Sequence, residues 1–214
     1  MAQLVSVNVG RPVQVAVRRG RPLLSAIGKR PVEGRVRVAG TNLEGDAQAD
    51  RRVHGGPDKA VYAYALADIA WWAGELGRDL VPGAFGENLT TEGVDVTGAV
   101  IGERWRIGDA VELEVAQPRL PCSKLGIAFG DGRMVRRFAE ASRPGAYLRI
   151  LVEGTIGAGD PIEVVDRPAH GVTVATVSRA ILLDESLAAE AAAATQLPED
   201  LAGWMRDRAT VQAR

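Results

Sequence analysis

Through roughly the first 170 residues, short apolar segments alternate with Gly, Pro and Asp. Residues 4–9, 13–17, 35–38, 110–116, 146–152 and 161–165 are each four to eight residues long and carry many β-branched positions. Segments of that length between turn signals predict the strands of a barrel or sandwich. Gly108-Asp109 and Gly159-Asp160 each precede an apolar segment, as turns entering strands do. Two helices interrupt the pattern. Residues 68–76 put Ile69, Trp72 and Leu76 on one face and meet Gly77 as a stop, and residues 132–140 offer Met134, Val135 and Phe138.

Beyond Gly171 the period changes. Residues 173–183 predict a helix with Val174, Val177, Ile181 and Leu182 on its apolar face. Ser186 is suited to cap an alanine-rich helix over 187–195, and Pro198 suits the first turn of a third that carries Leu201, Trp204 and Met205. The expected architecture is mainly β with an appended α part, a β-barrel over 1–168 and a three-helix domain over 169–214. Three helices this short bury little surface alone, so they are expected to pack on the barrel or on a partner subunit.

Composition removes several classes of function. The chain has 214 residues, 46% of them hydrophobic and 25% charged, with a net charge of −1. That length buries a full core without disulfide or metal staples. The balanced charge gives no reason to expect nucleic acid or an anionic membrane as partner. No apolar run approaches the roughly 20 residues of a membrane span. Met1 to Ser6 lacks the charged and apolar regions of a secretory signal, so a cytoplasmic protein is expected. One cysteine makes neither an internal disulfide nor a cluster site.

Cys122 is the sharpest chemical feature, within Gln117-Pro118-Arg119-Leu120-Pro121-Cys122-Ser123-Lys124-Leu125. The prolines stiffen an extended approach, and Arg119 and Lys124 favour a thiolate, the form that ligates metals and attacks electrophiles. A small buried hydrophobe is the other reading. His54 stands beside Gly55-Gly56 and Lys59 in a polar stretch where backbone can approach a ligand, or which is simply a solvated loop. Asn88 follows Gly83-Ala84-Phe85-Gly86, a glycine-rich loop without the Lys-Ser/Thr of a phosphate cradle, and either offers its amide to a heterocycle or sits in a surface turn. His170 falls at the junction with the helical part and suits a capping role. Two histidines and one cysteine, widely separated, make a poor zinc site, while a Cys122–His54 hydrolytic pair stays open. Trp71, Trp72 and Trp204 fit either a homodimer contact or core packing.

Taken in order, Gly45-Asp46-Ala47-Gln48-Ala49-Asp50, His54-Gly55-Gly56-Pro57-Asp58-Lys59-Ala60-Val61, Gly83-Ala84-Phe85-Gly86-Glu87-Asn88-Leu89-Thr90 and the Cys122 segment resemble the MOSC family, in its stand-alone bacterial YiiM type. Residues 146–151 and Gly157-Ala158-Gly159-Asp160 are similar to the family's closing strands, and the helical tail to the small domain of that type. Arg143-Pro144-Gly145-Ala146 departs from the Ser-Gly-Trp-like approach of close relatives.

The resemblance implies a closed or nearly closed MOSC-type (pyruvate-kinase-like) β-barrel that works with a molybdenum cofactor (molybdopterin). It makes Cys122 the metal ligand and catalytic residue, since soft sulfur suits molybdenum held by a dithiolene. Lys59, Arg119, Lys124, Gly55 and Gly56 would receive the cofactor's phosphate, with His54 in the same motif and Asn88 near the pterin or an oxo ligand. The implied activity is reduction of N-hydroxylated small molecules such as 6-hydroxylaminopurine, a detoxification. The electrons must come from a separate flavin or iron–sulfur reductase, as no dinucleotide fingerprint is present. The alternative is a sulfur-carrier or cofactor-binding module that uses Cys122 without catalysis of its own.

Overall fold

The computed structural model describes residues 1–50 and 55–212. In chain order the elements are β1 (Gln3–Val9), β2 (Val13–Arg18), β3 (Arg21–Ser25), β4 (Arg30–Pro31), β5 (Val36–Ala39), β6 (Asn42–Leu43), β7 (Val61–Ala65), α1 (Leu66–Leu76), β8 (Leu89–Glu92), β9 (Arg104–Ile107) and β10 (Val111–Pro118). Then follow α2 (Ser123–Phe129), α3 (Met134–Ala141), β11 (Ala146–Val152), β12 (Gly154–Ile156), β13 (Ile162–Asp166), α4 (Val174–Leu182), α5 (Ala188–Ala191) and α6 (Glu199–Gln212).

Eight strands form one sheet in the order β13-β9-β10-β11-β7-β8-β1-β4, while β12-β5-β6 make a small sheet and β2-β3 a separate hairpin. Every pairing in the large sheet is antiparallel except β7 with β8, which α1 connects. The sheet curls until β1 meets the chain entering β13. Leu4 N donates to Asp160 O at 2.9 Å, Gly159 N to Leu4 O at 2.7 Å and Ile162 N to Ala2 O at 3.0 Å. Pro161, opposite Gln3, has no N–H to extend this pairing. The expected barrel is therefore a curled sheet joined by a short seam, and no full ladder closes it among the described residues.

The core enclosed by the curled sheet holds Leu4, Val7, Trp105, Leu113, Val115 and Leu148, all buried. The C-terminal helices complete that same core with Val174, Val177, Ala180, Ala188 and Met205. Thr173 caps α4 through its hydroxyl, which accepts from Thr176 N at 3.1 Å. The expected alanine-rich helix over 187–195 is broken. The Asp184 carboxylate accepts from Ser186 N at 3.1 Å and sets a 3-10 turn over Glu185–Leu187 before the single turn of α5. Ser186 is thus capped instead of capping. His170 secures the junction: Nδ1 accepts from Val172 N at 3.0 Å, and Nε2 pairs with Gln196 at 3.1 Å.

A second, aromatic core lies on the other face of β7, beneath α1, α2 and α3. Tyr62, Tyr64, Trp72, Phe85, Phe129 and Phe138 fill it. Trp72 Nε1 donates to Tyr64 Oη at 3.0 Å, Tyr64 Oη to Arg143 O at 2.9 Å and Tyr62 Oη to Pro144 O at 2.8 Å. The Arg143-Pro144-Gly145 turn thereby receives two buried phenols that would otherwise lack acceptors. Gly145 lies at φ 63°, and a Cβ there would meet the Tyr64 ring at 2.5 Å and Ala63 O at 2.6 Å. Trp72 is core, whereas Trp71 lies partly exposed beneath the Arg143 guanidinium.

Candidate functional site

β10 delivers the chain to Cys122. Its last residue is Pro118, and Cys122 is extended (φ −132°, ψ 172°) and half-buried directly before α2. The Cys122 carbonyl accepts from Leu125 N at 2.9 Å and starts the helix. The stiff approach matches the proline pattern. The helix itself goes beyond the sequence reading, although Leu125 and Phe129, four residues apart and followed by Gly130, are its signal.

Arg119 is buried at 7% exposure. Its guanidinium lies 5.3 Å from the centroids of both Tyr62 and Phe138, resting on the aromatic core. Nη1 is fully buried and has no hydrogen-bond partner among the described residues. Burial works against the charge, but Tyr62, Tyr147 and Cys122 outweigh it and raise the pKa, so Arg119 stays a cation. Native proteins rarely leave such a donor unused.

Arg119, Cys122, Lys59, Lys124, Lys29, Tyr62 and Tyr147 converge on one cleft, together with Asn88 and the backbone turns at 25–27 and 47–49. The cleft encloses about 670 Å³ of non-atom space, part of it open to solvent. Its described lining includes four cations and no carboxylate, although the chain as a whole is near neutral. Gly56 does not line the cleft. At φ 99° it opens the 3-10 turn Pro57–Lys59 that carries Lys59. That turn is held by Gln117 Nε2 donating to Asp58 O at 3.2 Å and by Arg149 pairing with Asp58 at 2.5 Å. Gly55 precedes this turn and also stands outside the lining; His54 lies outside the described residues.

Asn88 has a scaffold duty. Its Oδ1 accepts from Tyr62 N at 3.1 Å, and its Nδ2 donates to Asn8 O at 3.3 Å and Asp46 Oδ2 at 3.0 Å. Both amide hydrogens are engaged inside the chain, so the expected hydrogen bond from Asn88 to a ligand has no donor. Asp46 in turn accepts from Gly10 N at 2.8 Å and from Lys29 Nζ at 2.5 Å. Lys29 carries no signal in the sequence because its partner lies 17 positions away. Burial lowers the Lys29 pKa, with Asp46 and then Glu87 pulling the other way.

Glu87 is fully buried and holds the glycine loop, accepting from Gly83 N at 2.5 Å, Phe85 N at 3.0 Å and Thr90 Oγ1 at 3.0 Å. Burial raises its pKa against those bonds. Gly83 adopts φ 90°, and a Cβ there would sit 2.4 Å from Lys29 O. The loop braces the cleft wall, which Phe85 and Gly86 line. Gly83→Ala is therefore expected to cost about 2–3 kcal/mol, a Tm fall on the order of 5–10 °C for a chain this size. Thermal unfolding followed by circular dichroism checks it; an unchanged Tm would show that the loop is not under this constraint.

Tyr147 pairs with Gln117 across β10 and with Tyr62 across β7, its ring 5.1 Å from that of Tyr62. Burial raises its pKa, with Arg119 opposing, so the phenol keeps its proton at neutral pH. Its Oη makes no hydrogen bond to another described residue. Nothing in the local pattern singles Tyr147 out, because it lies in a segment that reads only as a strand.

Among the described residues no three His, Cys, Asp or Glu side chains converge on a metal position. A bare ion would find no cage here. A metal that arrives with its own ligands needs only one protein thiolate, and an anionic group attached to it needs cations. Cys122, the orphaned Nη1 of Arg119 and the surrounding lysines meet those needs.

A family model described as the MOSC domain matches residues 50–163. The Bacillus subtilis protein YflK is 39% identical over 176 residues, 82% of this chain and 79% of that protein. Protein YiiM of Escherichia coli is 36% identical over 155 residues, 71% of this chain and 68% of that one. A Gibberella moniliformis protein named Reductase is 35% identical over 198 residues, 91% of this chain but only 35% of that longer protein. Among solved structures, YiiM from Geobacillus stearothermophilus superposes with a TM-score of 0.78 at 27% identity, covering 97% of this chain and 99% of that one. YiiM from Escherichia coli gives 0.75 at 25% identity, over 99% and 94%.

Proposed function

The chain belongs to the MOSC domain family, and from that premise we propose that it binds the molybdenum cofactor in the Cys122 cleft and reduces N-hydroxylated bases of the 6-hydroxylaminopurine type. The observation that carries the reading is Arg119, which lines the same cleft as the chain's only thiol and whose buried Nη1 has no hydrogen-bond partner among the described residues. MOSC domains are associated with molybdenum-cofactor binding, and a reductase is among the relatives.

When bound, the cofactor supplies two-electron redox chemistry at molybdenum. Cys122 Sγ would be its protein ligand, and Arg119, Lys59 and Lys124 would neutralise its phosphate and the charge around the metal. The reduction consumes two electrons and two protons: the N–O bond breaks, an N–H bond forms and the oxygen leaves as water. Tyr147, which lines the same cleft and keeps its phenol proton at neutral pH, would donate towards the departing hydroxyl. Tyr147 and the edge of the aromatic core at Tyr62 give this partly open cleft an apolar wall against which a heterocycle can pack. The electrons come from a separate flavin or iron–sulfur reductase.

Tyr147→Phe is expected to lower kcat about 10²-fold with KM little changed, as loss of one positioned acid does. Equal loss in kcat and cofactor content would instead make Tyr147 a cofactor-binding residue. The reading itself is tested by converting 6-hydroxylaminopurine to adenine with reduced viologen as electron source. Cofactor-loaded protein that leaves the base untouched would remove this substrate class. A sulfur-sized mass increment on Cys122 that reductant removes would favour the carrier role.

A further inference from the structure

The arginines of the protein are unevenly matched. Residues 1–32 contain six basic side chains and no Asp or Glu. Lys29 is neutralised by Asp46, but Arg11, Arg18, Arg19, Arg21 and Arg30 have no carboxylate within 4 Å among the described residues. In the rest of the described chain only Arg78, Arg119 and Arg179 share that state. Arg78 lies over the Phe129 ring, and Arg119 lines the cleft. Three of the five unmatched arginines, Arg18, Arg19 and Arg21, thus sit together on the β2–β3 hairpin.

The hairpin also keeps an apolar surface in water. Val13, Val17 and Leu24 are 58%, 63% and 44% exposed. Its tip turns through Arg19 at φ 50° and Gly20 at φ 73°, with Arg18 paired to Arg21. A two-residue turn of this hand prefers Asn or Gly at the first position, and an arginine there is strained. The sequence keeps a cation at a point where the backbone disfavours it. Apolar side chains ringed by unpaired arginines mark a recognition surface, and the sign of the charge specifies the partner.

The hairpin's position connects this surface to the cleft. β3 ends at Ser25, and Ser25, Ala26 and Ile27 line the cleft directly after it. β2 packs beside α2, the helix that begins next to Cys122. The base of the hairpin thus borders the cleft, and the arginines stand at its far tip.

We infer that the β2–β3 hairpin is the docking surface for the electron donor, a flavin or iron–sulfur protein that presents an acidic face. The inference rests on the reductase reading of the cleft and adds where its partner sits. Arg18, Arg19 and Arg21 steer the acidic face into place, and Val13, Val17 and Leu24 form the apolar centre of a transient contact. Each N–O bond cleaved draws two electrons through this complex, supplied by the partner's reduced flavin or cluster.

The test uses the full chain and an Arg18→Glu/Arg21→Glu variant, two exposed changes that leave the cleft intact. Flavodoxin and plant-type ferredoxin serve as acidic probes, with binding measured by calorimetry at low and high salt. Turnover is measured in parallel with each carrier and with reduced viologen. The expected result is carrier binding weakened at least about tenfold in the variant at low salt, a difference that salt erases, and unchanged viologen-driven turnover. Equal binding by wild type and variant, or binding of neither carrier by the wild type, overturns the docking assignment. Carrier binding that depends on the arginines while viologen drives no turnover overturns the reductase reading and leaves the hairpin as an acidic-protein site.

Discussion

Cys122→Ser is expected to reduce molybdenum-dependent turnover by at least about 10²–10³-fold while barely changing stability. Disturbing a residue that merely orients a metal ligand costs about 10- to 100-fold, so loss of the ligand itself should cost more. Serine keeps the size of the side chain, but its hydroxyl stays protonated and hard where a soft thiolate is needed. Cys122 is half-buried at a chain turn outside both apolar cores. The swap should therefore shift unfolding by no more than about 0.5–1 kcal/mol. Steady-state assay beside thermal unfolding checks both halves. A large Tm loss would recast Cys122 as structural, and retained turnover would remove it from the metal.

Arg119→Met is expected to move stability and binding in opposite directions. In the protein alone, the buried Nη1 donor without a partner costs about 1–3 kcal/mol, and methionine removes that cost while filling the space on Tyr62 and Phe138. The cation–π attraction to those two rings, worth about 0.5–2 kcal/mol, disappears with the guanidinium, so the variant should be as stable as wild type or slightly more so. Binding loses a charge-assisted hydrogen bond of about 1.5–3 kcal/mol, which is roughly a 10- to 150-fold weaker hold on the anionic cofactor. Thermal unfolding of cofactor-free protein and a cofactor competition assay read the two signs separately. A structural arginine would show the reverse: lower Tm and unchanged affinity.

Much of the site is legible in the sequence because its chemistry lies in short local motifs. Cys122, Arg119 and Lys124 fall within six residues, and Lys59 announces itself beside two glycines and a proline. The strands that alternate or end in Gly-Asp turns are also visible. β7 is not, since Val61, Tyr62, Ala63 and Tyr64 are all buried between the two cores and show no period of two. Lys29 and Asp46 are hidden for another reason. Their meaning depends on contacts between distant segments, Lys29 with Asp46 and Asn88 with Asn8, that no local pattern encodes. Asn88 shows the opposite error: a polar residue in a glycine-rich loop suggests a ligand contact, and the fold uses it to join β1 to β7. The single-helix reading of 187–195 fails because propensity favours alanine helix, whereas the Asp184 cap and the burial of Ala188, Ala191 and Ala194 favour broken turns against the curled sheet.

The central claim is that the Cys122 cleft holds a molybdenum cofactor. The most direct test is molybdenum and pterin content per chain, measured on wild type and Cys122→Ala purified side by side from a cofactor-producing host. Near-stoichiometric metal and pterin in the wild type, with clear loss of metal in the variant, is the predicted result. Neither metal nor pterin in the wild type, under conditions that load a known molybdenum protein, would contradict it.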